Sequence, residues 1–138
     1  MTIIDTNIIL DIVHADSRWA EWSIARLSQI TADERAMVNI VVLAECGPRF
    51  ASLDDLKDKL QIMAIDVVEI DDRSAFLAGR RFVEYRRRRS KDTQSRVLPE
   101  FFIGAHAETL GLPILTRDPA IYRTYFPDLT LITPETQP

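Results

Sequence analysis

Four carboxylates, Asp5, Glu45, Glu100 and Asp118, stand at points where alternating strands and helices would gather them. Asp5 closes the short apolar run Ile3-Ile4, and Asp118 lies two residues beyond LPILT. Glu100 opens the apolar segment PEFFIGAHA, and Glu45 sits in VVLAEC among uncharged neighbours. Singly, most have an ordinary structural explanation. Acids at strand ends serve as turn residues or helix N-caps, and a Glu in a first helical turn gains roughly 0.3–1 kcal/mol from the helix dipole. Glu45 fits no such explanation, because an unpaired buried carboxylate is costly. It calls for a cation or a water-filled cleft. Brought together, two carboxylates about 5 Å apart repel by roughly 3 kcal/mol at an effective dielectric near 20, so a cluster needs a counter-charge. Hard oxygen donors without His or Cys partners suit Mg²⁺ or Mn²⁺, as one or two ions. Such a cation activates water and stabilises charge on a phosphoryl oxygen.

The elements that must position these acids alternate along the chain. Residues 2–5 are predicted as a strand, followed by a helical turn from Asn7 to Val13. SRWAEWSIARLSQI has Trp19, Trp22, Leu27 and Ile30 at helical spacing, with Ser17 as N-cap. A buried strand at 36–39 passes into a helix that stops at Gly47-Pro48. Ser52 and Asp55, in capping-box spacing, open an amphipathic helix, and DVVEI is the next strand. A helix from Asp72 to Arg89 is predicted with Phe76, Leu77, Phe82 and Val83 inward, and 90–96 as a loop. Pro99 pre-sets a helix that Gly111 ends. LPILT is a strand, PAIYRTYF a short helix and LTLI the last strand. Strands alternating with helices, themselves nearly continuous in apolar residues, imply a mostly parallel sheet covered on both faces. Ligands of such sheets bind beyond the carboxyl ends of the strands, which is where the acids are expected.

The 138 residues, 46% of them hydrophobic, fit a single domain spanning 1–138. No apolar run approaches the roughly 20 residues of a membrane span. MTIIDTN has no basic region and does not read as a signal peptide. The lone Cys46 excludes an internal disulfide and suits a reducing, cytoplasmic setting. The net charge of −4 is unevenly spread. Residues 80–96 hold eight Arg/Lys against Glu84 and Asp92, a basic arm on an acidic body. Arg86, Arg87, Arg88 and Arg89, extended by Arg80, Arg81, Lys91 and Arg96, are candidate phosphate contacts. Arg117, beside Asp118, is expected to meet phosphate or an acid. Four cations ending a helix also suit its negative end, and a solvated turn is the plain alternative. His106 follows Glu100 by six residues, off its helical face, and is assigned to packing or a partner surface. Cys46, Trp19, Trp22, Tyr122, Tyr125 and Phe126 are assigned to core or interface.

Asp5-Thr6-Asn7, Glu45 after the second strand, PEFFIGAHA and LTRDPAIYRTYFP together resemble a PIN-domain ribonuclease, and more narrowly the VapC-type toxins of bacterial toxin–antitoxin pairs. The resemblance spans nearly the whole chain. It implies a three-layer α/β/α fold around a parallel sheet and a Mg²⁺-dependent endoribonuclease leaving 5′-phosphate and 3′-hydroxyl ends. It also implies a homodimer neutralised by a cognate antitoxin protein. The family's acidic positions fall on Asp5, Glu45, Glu100 and Asp118, and Asn7 and Thr116 match polar positions beside the metal site. One position departs from the pattern: the family more often has Asp where this chain has Glu100. The extra methylene adds roughly 1.5 Å of reach around an ion that demands near-octahedral geometry.

Other readings remain open on the residues alone. A haloacid-dehalogenase-like phosphatase would want a second Asp two residues after the first, and position 7 is Asn. A receiver domain would want an acidic pair and a late Lys, which LTRD does not supply. A PIN-like module that binds RNA or protein without cutting is kept open by Glu100.

Overall fold

The computed structural model describes residues 1–88 and 97–138. Its strands are β1 (Thr2–Ile4), β2 (Ala36–Val38), β3 (Ile65–Val67), β4 (Ile114–Leu115) and β5 (Leu131–Ile132). Its helices are α1 (Thr6–Val13), α2 (Ala20–Asp33), α3 (Ile40–Cys46), α4 (Leu53–Ile62), α5 (Asp72–Arg88), α6 (Leu98–Leu110) and α7 (Ala120–Tyr125). A 3₁₀ turn, Gly47–Arg49, follows α3.

The strands form one sheet in the order β3-β2-β1-β4-β5, and every neighbouring pair is parallel. The chain travels outward from β1 to β3, crosses back, and travels the other way from β4 to β5. With right-handed crossovers, opposite directions of travel place helices on opposite faces. The result is the α/β architecture expected from the alternating pattern. The reversal lies between β1 and β4. Ile3 is level with Ile114 and Ile4 with Leu115, so the residues leaving these two strands, Asp5 and Thr116, emerge side by side.

Local chemistry sets the helix ends. The Asn39 side chain accepts from the Val41 and Val42 amides and opens α3. Ser52 accepts from Asp55 N–H at 3.0 Å and opens α4, as its capping-box spacing requires. Asp71 accepts from Ser74 N–H at 3.1 Å at the start of α5. Gly111 ends α6 at φ +67°, a left-handed conformation that glycine adopts without a Cβ penalty.

Ile3, Ile4, Met37, Val38, Ile114 and Leu115 fill the sheet and are fully buried. Phe82, Tyr85, Phe101, Tyr125 and Phe126 pack into one aromatic cluster with ring centroids 5.2–5.9 Å apart. A fully buried Phe such as Phe101 contributes roughly 1.5–3 kcal/mol. This cluster locks α5, α6 and α7 together.

Several boundaries differ from the sequence expectation. Ser17 does not cap α2; the Asp16 carboxylate accepts from the Arg18 and Trp19 amides, and the helix begins at Ala20. The third strand is 65–67 rather than DVVEI, because it pairs level with Ala36–Val38. Phe76 and Val83 are not inward: they are 65% and 43% exposed, whereas Ala78 and Tyr85 are buried. The buried stripe of α5 runs through Ser74, Ala78 and Tyr85, and Phe76 lies behind it, under the Arg80 guanidinium at 4.8 Å.

Candidate active site

Asp5 is shared between the fold and the site. Its Oδ1 accepts from Thr6 N–H at 2.8 Å and caps α1. Its Oδ2 accepts from Thr116 Oγ1 at 2.8 Å, Tyr122 OH at 3.0 Å and Asn7 Nδ2 at 3.3 Å. The carboxyl is almost fully buried. Burial pushes it up to about 6; the Thr116 and Tyr122 hydrogen bonds hold it down, and the charge of Glu45 pushes it up.

Glu45 is half-buried on α3, and its Oε1 accepts from Thr6 Oγ1 at 2.7 Å. Glu100 sits in the first turn of α6. Its Oε2 is buried and has no hydrogen-bond partner among the described residues. Burial first, and then the negative charges of Asp5, Glu45 and Asp118, push Glu100 up to about 7. Glu100 therefore feels all three other acids. Asp118 is exposed in the β4–α7 connection, and its N–H donates to Thr116 Oγ1 at 3.0 Å. Asn7 joins the two sides of the switch point. Its Nδ2 donates to Asp5 and, at 3.2 Å, to Thr116 Oγ1, while its Oδ1 accepts from Arg117 N–H at 3.3 Å.

The four predicted acids are thus brought into one electrostatic neighbourhood beyond the ends of β1 and β4. Two of them have their oxygens engaged: Asp5 by four donors and Glu45 by Thr6. Among the described residues, no three Asp, Glu, His or Cys side chains converge closely enough to hold one metal ion as they stand. The donor set nonetheless fits a hard divalent cation. It is all oxygen, it carries like charges that repel, and it includes a buried carboxylate oxygen without a partner.

The basic residues divide. Arg86, Arg87 and Arg88 form the exposed last turn of α5, with the Arg88 guanidinium 5.7 Å from the Tyr125 ring centre. Arg81 is instead a structural clamp, donating to the Tyr125 carbonyl at 2.6 Å and to Glu108 at 2.9 Å. Arg117 meets an acid: its Nε donates to Asp11 Oδ2 at 2.8 Å. Arg89, Lys91 and Arg96, with the loop expected over 90–96, lie outside the described residues. His106 is buried in contact with Asn39 Nδ2 at 3.2 Å, so it packs and presents no partner surface. Burial pushes the Cys46 thiol up to about 12, which makes it inert.

Three residues went unassigned to the site on sequence grounds: Thr6, Tyr122 and Asp11. Thr6 stood between two polar site residues. Tyr122 follows Asp118 by one helical turn, a spacing that could have placed its hydroxyl there. Asp11 gave no signal, since an acid six residues after Asp5 reads as a solvent-facing helix position.

A doubly wound parallel sheet with carboxylates gathered at its switch point defines the class, an α/β protein of the kind whose ligands bind beyond the carboxyl ends of its strands. The PIN domain sequence profile matches residues 2–127, and the chain belongs to the PIN domain family. No curated protein matches it in sequence. In structure it is similar to a chain of VapBC2 from Rickettsia felis, bound to a DNA fragment from their promoter. That match has a TM-score of 0.68 at 15% identity, over 96% of this chain and 97% of that one. It is also similar to a chain of a toxin–antitoxin complex from Klebsiella pneumoniae (TM-score 0.62, 16% identity, 97% and 98% covered). A third likeness is to FitAcB from Neisseria gonorrhoeae (TM-score 0.64, 16% identity, 98% and 99% covered). At these identities the likeness is one of fold.

Proposed function

We propose that this protein is the toxin of a toxin–antitoxin pair, a divalent-cation-dependent endoribonuclease working through Asp5, Glu45, Glu100 and Asp118. The observation that carries the reading is Glu100 Oε2, buried and unpartnered among the described residues beside three other acids. Glu100's own backbone N–H offsets the cost only in part, and a buried carboxylate oxygen without a partner is uphill unless a cation or a proton completes it. Membership of the PIN domain family and a whole-chain likeness to a toxin–antitoxin complex structure support the same reading.

The four acids would hold Mg²⁺, with Mn²⁺ as a substitute, as one or two ions. When bound, the cation supplies a more acidic water and stabilises charge on a phosphoryl oxygen. Thr116, Tyr122 and Asn7 hold the Asp5 carboxylate in one orientation, the supporting role that hydrogen bonds serve around metal ligands. Glu100 Oε2 has no hydrogen bond to surrender among the described residues and is the oxygen available to take a ligand or a proton. Arg86, Arg87 and Arg88 supply positive surface for the RNA backbone, with Arg89, Lys91 and Arg96 continuing that stretch in sequence. The antitoxin is assigned to an apolar groove of about 220 Å³ lined by Ile12, Ile24, Leu27, Ile62 and Met63, since partner helices bind such grooves. A homodimer is part of the same proposal. No helix among the described residues is long and apolar enough to cross a membrane, and cytoplasmic action is proposed with the rest.

The test is cleavage of total RNA by purified protein with Mg²⁺ or with EDTA, with cut ends mapped for wild type, Asp5→Asn and Glu100→Asp. Wild type should cut only with the metal and more slowly as salt rises. Asp5→Asn should fold and not cut. Equal Mg²⁺-dependent cleavage by wild type and Asp5→Asn would sink the assignment. A second reading, a module that binds RNA or protein without cutting, draws on the lack of convergence of any three acids on one point. Tight RNA binding that ignores EDTA, with no cut ends, would establish it.

A further inference from the structure

Arg117 borders the site through its sequence neighbours and through its bonds to α1. It lies between Thr116, which donates to Asp5, and the exposed acid Asp118. Its backbone N–H is accepted by Asn7 Oδ1, and its Nε by Asp11 Oδ2 at 2.8 Å. Asp11 is on α1, the helix that Asp5 caps. Its side chain is only 3% exposed, against 32% for Arg117. Ser23 Oγ on α2 donates to the same Oδ2 at 3.1 Å. The Arg117 guanidinium lies 5.8 Å from the Trp19 ring centre. Both ends of Arg117, backbone and side chain, are therefore fastened to α1, and the guanidinium reaches toward the start of α2.

We infer that Arg117 is a positioning residue whose ion pair with Asp11 holds the β4–α7 connection, and with it Asp118, against the acidic site. Six bonds act on three consecutive residues: the Thr116 N–H on the Ile132 carbonyl, the Thr116 hydroxyl on Asp5 and from Asn7, the Arg117 amide on Asn7, the Arg117 side chain on Asp11, and the Asp118 amide on Thr116. Backbone bonding to the neighbouring strand ends with the Thr116 N–H on the Ile132 carbonyl, so beyond Thr116 the described bonds that place Asp118 are those of side chains. Asp11 engages only the Nε of Arg117, and a guanidinium has four further N–H donors, so the experiment must separate the clamp from a phosphate contact. This inference rests on the proposed role of Asp118 in the site.

The experiment compares wild type, Asp11→Asn, Arg117→Gln, the double variant and Arg117→Lys, without RNA, by amide hydrogen exchange. Exchange at the Arg117 and Asp118 amides should rise about tenfold in each single variant. It should rise no further in the double variant and be partly restored by Lys, while the amides of β1 and β2 stay protected. In cleavage assays both single variants should lose kcat, by roughly ten- to a hundredfold, with KM little changed. Unchanged exchange at Arg117 and Asp118 in both single variants would overturn the clamp. So would a rise spread equally over β2 and α4, which marks general loosening. An RNA-contact role would instead show as a raised KM and a shallower salt dependence in Arg117→Gln alone. Should wild type fail to cut RNA at all, the nuclease reading falls, and the exchange measurement still decides the clamp.

Discussion

Asp5 illustrates how one side chain serves two ends. As the N-cap of α1 it is built into the fold, and as a buried carboxylate facing Glu45 and Glu100 it is held in an unfavourable charge state. Its carboxyl is pushed to about 6 from an ordinary 3.8, mainly by burial. Such a group binds protons more tightly in the folded chain than in the unfolded one. Its contribution to stability is complete below about 4 and is lost as pH rises through about 6. The gap corresponds to roughly 3 kcal/mol at neutral pH. Glu100, pushed to about 7, acts in the same direction. The surface carboxyls Asp55 and Asp66, lowered by Lys59 and Arg35, titrate below this window. His106, held down by burial, opposes the trend on acidification. A comparison of variants therefore isolates the Asp5 contribution. Metal-free wild type should gain more stability than Asp5→Asn between pH 7.5 and pH 5, measured by urea unfolding. Parallel pH profiles for the two proteins would show that Asp5 is not buried in a charged state.

Among the elements, α6 carries the most constraint. Glu100 sits in its first turn and Gly104 one turn later on the same face. A Cβ on Gly104 would lie 2.6 Å from Cε2 of Phe126, a fully buried ring. Gly104→Ala should thus destabilise the fold by about 1–2 kcal/mol, because overpacking outweighs the better helix propensity of Ala. It should also lower cleavage by displacing Glu100. Urea unfolding checks the first outcome, and greater stability in the variant would contradict it. No sequence pattern announces this contact, since a Gly in PEFFIGAHA reads only as a weak helical position. What could be read from the chain follows the same division. Helix starts depend on neighbouring residues, and Ser52 and Pro99 were legible for that reason. The start of α2 was not, since Asp16 holds the Arg18 and Trp19 amides in a turn and the helix begins at Ala20 with no side-chain cap. The inward face of α5 was misplaced because Phe76 is apolar yet stacks under Arg80. Asp5, Glu100 and Asp118 became candidates by their positions at element ends, and Glu45 by its uncharged neighbours. Their supports Thr6, Tyr122 and Asp11 did not, since each depends on contacts between elements distant in sequence.

For the molecule as a whole, sheet order converts a linear list of acids into a site. Travel in two directions from β1 and β4 puts the switch point of the sheet between them, and parallel register sets Asp5 beside Thr116. The helices bearing Glu45 and Glu100 pack on each other, tied by the Asn39–His106 contact. An acidic body with a basic last turn on α5 places repulsion at the acids and positive charge on an exposed helix end, the division that the proposed function would use on an anionic substrate. The proposed function requires that the four acids act as one cation site. Calorimetric titration of Mn²⁺ into wild type, Asp5→Asn and Glu100→Gln tests it most directly. Saturable binding to wild type, weakened roughly tenfold or more in both variants, is the predicted result; equal affinity in all three proteins, or no binding to wild type, would contradict it.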